Sequence, residues 1–206
     1  MVSGSGTLLE AMIENGLPIR VVATDRPCRA QEVTRTHGLD LVVLERTDFS
    51  PSFDREAYTD HLVSRLINYD IGLVAMAGFG TILGGSIYQH FPDRVLNTHP
   101  ALLPKHKGWH AVSDALSAGD KITGCTIHLA TAEVDEGPIL AQEVVPILEG
   151  DTEEVLHERI KEVERRLYPS TILTYLAYLE WLEIQWSPGT SPGGPVLSKP
   201  RWVGRI

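Results

Sequence analysis

Asn97 and His99 stand two residues apart in "VLNTHPALLPKHKG", where an apolar run ends against Pro100. On a strand that spacing sends both side chains to the same face. An asparagine amide can donate to an oxygen that is becoming negative, and an imidazole can donate or shuttle a proton near neutral pH. Asp135, in "AEVDEGP", offers a carboxylate that would raise the pKa of a nearby imidazole. Together these residues suit stabilisation of an oxyanion with an assisted proton transfer. The same residues also describe a hydrogen-bonded strand end and a solvated loop aspartate, and spacing alone does not separate the two readings.

A second group opens the chain. In "VSGSGTLLEAMIENG", Gly4 and Gly6 alternate with Ser3, Ser5 and Thr7 ahead of a helical pattern carrying Leu9, Met12 and Ile13. Uncapped N–H groups at a helix start, unobstructed by Cβ atoms, cradle an anion such as phosphate. There is no third glycine of a dinucleotide fingerprint and no P-loop lysine, so a monophosphate fits better than a nucleotide. A tight turn with a Ser or Thr cap remains the plainer alternative. His106 and His110 have the i, i+4 spacing of metal ligands, but Gly108 between them weakens a helix there, and no metal is expected.

These residues need elements to position them. The runs 19–24, 39–45, 71–79 and 95–99 read as strands buried on both faces, with helical patterns between them. Ser52 is a plausible cap for the helix after 51, and Gly38 a stop for the one before it. This alternation predicts an α/β fold with a doubly wound, mostly parallel sheet. "TGCTIHLAT" and "ILAQEVVPI", joined by a short turn-rich link, predict an antiparallel strand pair in the C-terminal half. A long helix follows, with Asp151 and Glu154 as a capping box and Pro169 as a break or kink. The domain is expected over 1–186, with a Pro/Gly-rich extended tail at 187–206. Carboxyl ends of strands in such sheets are where ligands bind, which is where Asn97 and His99 fall.

Composition narrows the class. With 206 residues, 43% hydrophobic and 22% charged, the chain suits one globular domain. A net charge of −9 argues against a nucleic-acid partner. Cys28 and Cys125 form no C-x-x-C, so neither a disulfide framework nor a cysteine metal site is expected. No apolar run approaches a membrane span and no signal peptide opens the chain, which gives a cytoplasmic expectation with no membrane partner.

"NTHPALLPKHKG", "VDEGPILAQ" and the opening "SGSGT" together resemble the phosphoribosylglycinamide formyltransferase family, and "MAGFGTIL" and "GDTEEVLHERIKEVERRLYP" match further segments of it. The likeness runs from Val2 to about Leu176. It implies a Rossmann-like formyltransferase fold and transfer of a formyl group from 10-formyltetrahydrofolate to the amine of glycinamide ribonucleotide, without metal. It implies catalytic roles for Asn97, His99 and Asp135. It assigns the substrate phosphate to Gly4, Ser5, Gly6 and Thr7, the glycinamide and ribose end to Glu164, and a place along the substrate to Pro100. The folate pterin falls to Ile82, Leu83 and the backbone of Thr131, Ala132, Glu133 and Val134. A homodimer is left open.

Three features depart from the family pattern. Leu8 stands where an asparagine is usual, and Gly80-Thr81 where Met-Arg is frequent. Of an apolar strand that precedes the glycine loop, only Met1 and Val2 are present, and that strand would sit mid-sheet, leaving two open ladder edges. The nearest alternative is formyltetrahydrofolate deformylase, which shares the motifs, uses water as acceptor, and usually carries a further N-terminal regulatory domain. A methionyl-tRNA formyltransferase would add a tRNA-binding domain, which the acidic composition disfavours.

Overall fold

The structure, a computed structural model, describes residues 1–185; the tail expected at 187–206 lies outside the described residues. Period-two alternation along the strands divides the apolar residues between two cores. In β1 (Val21–Thr24), Val22 joins one core and Ala23 the other; in β4 (Val95–His99), Leu96 and Val95 divide the same way. The first core takes α1 (Thr7–Glu14), α2 (Arg29–Thr36), α5 (Ala111–Ser117) and α6 (Glu153–Gln185); the second takes α3 (Arg55–Leu66) and α4 (Ser86–His90). Helices on both faces make the sheet doubly wound, as expected.

β1 pairs in parallel with β2 (Asp40–Val43), and β3 (Val74–Met76) pairs in parallel with β4. β5 (Ile122–Leu129) runs antiparallel to β4 and to β6 (Ile139–Pro146), so the C-terminal strand pair is the antiparallel end of the sheet. The first residues of the chain join the two parallel halves. Val2 N–H donates to the Ala23 carbonyl (2.9 Å), while Ala77 and Gly78 bond the Met1 carbonyl and the Ser3 N–H from the other side (2.8 and 3.1 Å). Behind Met1 the gap between β1 and β3 continues as a cavity of about 300 Å³, lined by Val22, Leu73, Val74, Met12, Ile172 and Leu176 among others.

Several local expectations are corrected. β2 is an edge strand with no fully buried residue and Val43 exposed, not a strand buried on both faces. The strand expected over 71–79 is ordered as a ladder only at Val74–Met76, because the glycines after it turn the chain into the site. Asp54, not Ser52, caps α3, accepting from Ala57 N–H (2.9 Å). Thr152 caps α6 in place of the Asp151–Glu154 box, since Asp151 is drawn into a bidentate pair with Arg159. Pro169 does not end α6. An internal proline costs about 3 kcal/mol, but Tyr168, Ile172 and Tyr175 are buried on either side and hold the helix through it. The Ser170 and Thr171 hydroxyls both donate to the Leu167 carbonyl (3.0 and 2.7 Å).

Candidate active site

β4 delivers Asn97 and His99 to the carboxyl end of the sheet, and the β5–β6 connection returns Asp135 to the same place. A cavity of about 580 Å³ opens there. Asn97, His99 and Asp135 all line it, together with His128 from β5. The register Asn97↔His128 explains the fourth residue: antiparallel pairing puts the two side by side. Asn97 Nδ2 donates to His128 Nε2 at 3.2 Å, and His128 Nδ1–H is given to the Leu129 carbonyl at 2.9 Å. One Asn97 hydrogen is therefore committed and the other is available. His128 was missed in the sequence because "GCTIHL" reads as an apolar strand, and only the register shows its neighbour.

Asp135 lies between the two imidazoles. Its Oδ2 is 3.3 Å from His99 Nδ1, its Oδ1 is 3.4 Å from His128 Nε2, and it accepts from Gly108 N–H at 2.8 Å. Burial raises its pKa, but His128, Gly108 and His99 outweigh it and hold the carboxyl below its ordinary value. His99 moves the other way from the expectation. Burial is the largest influence and lowers its pKa, and the opposing pull of Asp135 and of the His106 carbonyl does not restore it. The buried ring therefore favours its neutral form.

The glycine loop forms one wall. Gly4, Ser5, Gly6, Thr7 and Leu8 line the cavity, and no side chain caps α1, whose N-cap is Gly6 in the left-handed region (φ 76°). The Ser/Thr-capped turn is thereby set aside, and the first-turn amides are open to an anion. Glu164 lines the cavity as well, but not as a solvated helix carboxylate: it accepts from Thr98 Oγ1 at 2.8 Å and burial pushes its pKa up. Lys161 and His157, one turn and two turns before it, complete this wall. Both were overlooked as site residues because a charged helix face is ordinarily a solvated one.

Pro100, Ile82, Leu83, Thr131 and Val134 also line the cavity, as do Trp109 and His110. Ala132 and Glu133 are not brought to the cavity surface. Ile82 is exposed and Leu83 is packed in the second core, so they present unequal surfaces. The Gly80-Thr81 departure has a local cause. Arg26 Nη2 stands 2.7 Å from where a Cβ on Gly80 would be, Gly80 N–H donates to Ser3 Oγ (2.6 Å), and Thr81 Oγ1 donates to buried Asp25 (2.7 Å). A side chain at 80 would displace the Asp25–Arg26 pair. Among the described residues no group of three or more His, Cys, Asp or Glu is placed to hold a metal ion, and no helix is long and apolar enough to cross a membrane.

Residues 2–172 match the formyl transferase family. The chain is 44% identical over 177 residues to the phosphoribosylglycinamide formyltransferase of Mycobacterium tuberculosis, covering 84% of this chain and 81% of that protein. Its fold is similar to the crystal structure of glycinamide ribonucleotide transformylase 1 from Symbiobacterium toebii, with a TM-score of 0.77 and 42% identity over 83% of this chain and 82% of that one. The phosphoribosylglycinamide formyltransferase structure from Bacillus halodurans gives a TM-score of 0.78 at 36% identity, over 85% and 92% of the two chains.

Proposed function

The chain belongs to the formyl transferase family, and from that premise we propose that it formylates the amine of glycinamide ribonucleotide, a step of purine biosynthesis, with 10-formyltetrahydrofolate as formyl donor. The observation that carries this reading is the convergence of Asn97, His99, Asp135 and His128 on one cavity whose other wall is an uncapped glycine-loop helix start. A phosphorylated acceptor fits between the two. Gly4, Ser5, Gly6 and Thr7 hold the phosphate through their amides, with the Lys161 ammonium as counter-charge. Glu164 receives the polar glycinamide and ribose end, and Pro100 lies along the substrate. Ile82, Leu83, Thr131 and Val134 receive the pterin; Ala132 and Glu133, off the cavity surface, act through the shape of their loop.

The formyl donor supplies an electrophilic carbon whose oxygen becomes negative when the amine adds. Asn97 directs its uncommitted N–H at that oxygen, a role worth about 2.7–4 kcal/mol for one donor. The Asp135–His99 pair enters as carboxylate and neutral ring, takes the proton lost by the attacking amine, and returns it to the leaving nitrogen. Between those two transfers the imidazolium, steadied by Asp135, lies beside the negative oxygen. His128 keeps the Asn97 amide turned toward the cavity. The reaction takes place in the cytoplasm and involves small molecules only, with no nucleic-acid or membrane partner.

The test is to mix the protein with 10-formyltetrahydrofolate, with and without glycinamide ribonucleotide, and to follow tetrahydrofolate. Product that depends on the ribonucleotide is the expected result. Equal turnover in its absence would replace the transferase with the deformylase.

A further inference from the structure

Behind His99 the structure holds a second imidazole–carboxylate contact, between His106 and Asp120, that lies outside the cavity lining. His99 Nε2 is 2.8 Å from the backbone carbonyl oxygen of His106, and the His106 imidazole Nε2 is 2.8 Å from Asp120 Oδ2. Neither His106 nor Asp120 lines the cavity, whereas His99 and Asp135 do. A carbonyl oxygen carries no hydrogen, so the proton of the first contact belongs to His99 Nε2. His106 offers that oxygen from a left-handed backbone (φ 51°), a conformation uncommon for a residue with a Cβ and kept only where the surroundings enforce it. The imidazole–carboxylate contact to Asp120 is such an anchor, and Lys105 Nζ adds a second bond to the same carboxylate at 3.2 Å. Two residues on, Gly108 N–H bonds Asp135, so one loop grips both members of the His99–Asp135 pair.

We propose that Asp120 and His106 are positioning residues for His99: Asp120 anchors the His106 ring, the His106 carbonyl keeps a proton on His99 Nε2, and Nδ1, beside Asp135, is thereby left as the nitrogen that takes and returns the reaction proton. This rests on the proposed role of His99 as proton carrier. The charged and titratable groups facing His99 are Asp135, His128 and His106, and those facing Asp120 are His106 and Lys105. The His106 carbonyl favours the charged ring, so releasing it lowers the His99 pKa further.

Histidine-labelled protein followed by ¹⁵N NMR, with the His99 signals identified by their loss in His99→Gln, reads the tautomer without any need for turnover. In the wild type the neutral ring is held as the Nε2–H form. Asp120→Ala mixes the two tautomers, moves the His99 titration and the acid limb of kcat to lower pH, and lowers kcat by about tenfold to a hundredfold at unchanged KM. Asp120→Asn, which can still accept from His106, restores the wild-type tautomer, and Lys105→Met leaves it untouched. If Asp120→Ala does not fold, His106→Asn serves instead, because asparagine tolerates the left-handed backbone but lacks the imidazole. A wild-type tautomer and pH profile in a folded Asp120→Ala or His106→Asn protein overturns the pair. A locked tautomer in a protein inactive on the ribonucleotide would instead refute the proposed function and leave the pair standing.

Discussion

At the scale of single residues, Asn97, His99 and Asp135 are tested by where their loss appears in the kinetics. Groups that act only as charge develops lower kcat far more than they raise KM. Asn97→Ala and His99→Ala are expected to lose about 10²–10³ in kcat while melting near the wild type. Asp135→Asn keeps the shape but removes the carboxylate that favours the imidazolium, so the acid limb of its kcat–pH curve moves to lower pH. Near-wild-type kcat in all three would remove the catalytic assignment. Glu164 gives a separate test. Its folded pKa is raised by burial, so the folded state holds its proton more tightly than the unfolded chain, and stability declines as pH rises above the ordinary value of 4.5. Glu164→Gln, neutral at every pH, is expected to raise Tm by about 2–4 °C at pH 7.5, to show no gain below pH 4, and to raise the KM for the ribonucleotide. Thermal melts at the two pH values, beside a substrate titration, check it. The polar triad was legible in the sequence because its residues break an apolar pattern; the direction of the His99 pKa was not, because desolvation depends on how deeply β4 and β5 bury the ring.

At the scale of elements, the two glycines that open α1 do different work. Gly6 has φ 76°, and a Cβ there would meet Ala30 Cα of α2 at 3.0 Å, whereas a Cβ on Gly4 would meet nothing within 4 Å. A substitution at Gly6 therefore reports on folding as well as on the phosphate. A left-handed non-glycine residue costs about 1–2 kcal/mol, so Gly6→Ala is expected to lower Tm by several degrees. Gly4→Ala keeps Tm and, with a methyl group at the cavity wall, raises the KM for glycinamide ribonucleotide several-fold while folate affinity holds. Melting curves and separate KM values for the two substrates decide this, and equal losses of both affinities in Gly4→Ala would mean the loop holds no phosphate. The elements were legible from apolar periodicity, and their ends were not. Ser52 and Asp54 both precede α3, and only the Ala57 contact selects the latter. Pro169 signals an end to α6 that burial of its neighbours overrides.

At the scale of the whole molecule, the doubly wound, mostly parallel sheet was readable from the βαβ alternation, but the closure between β1 and β3 was not, because it rests on which backbone groups of Met1–Ser3 meet which strand. That closure has a thermodynamic signature. Val2 is buried at the join, and its N–H bonds the Ala23 carbonyl while the neighbouring Met1 carbonyl and Ser3 N–H bond Ala77 and Gly78. Val2→Ala removes two carbons from the first core there, at about 0.8 kcal/mol each, and at about 2–4 °C per kcal/mol for a chain of this size Tm is expected to fall by about 3–6 °C. Val2→Pro, which also removes the N–H that reaches Ala23, is expected to cost more. Thermal melts of the two variants check this, and a Tm near the wild type in both would show that Met1–Ser3 do not hold the two halves of the sheet together.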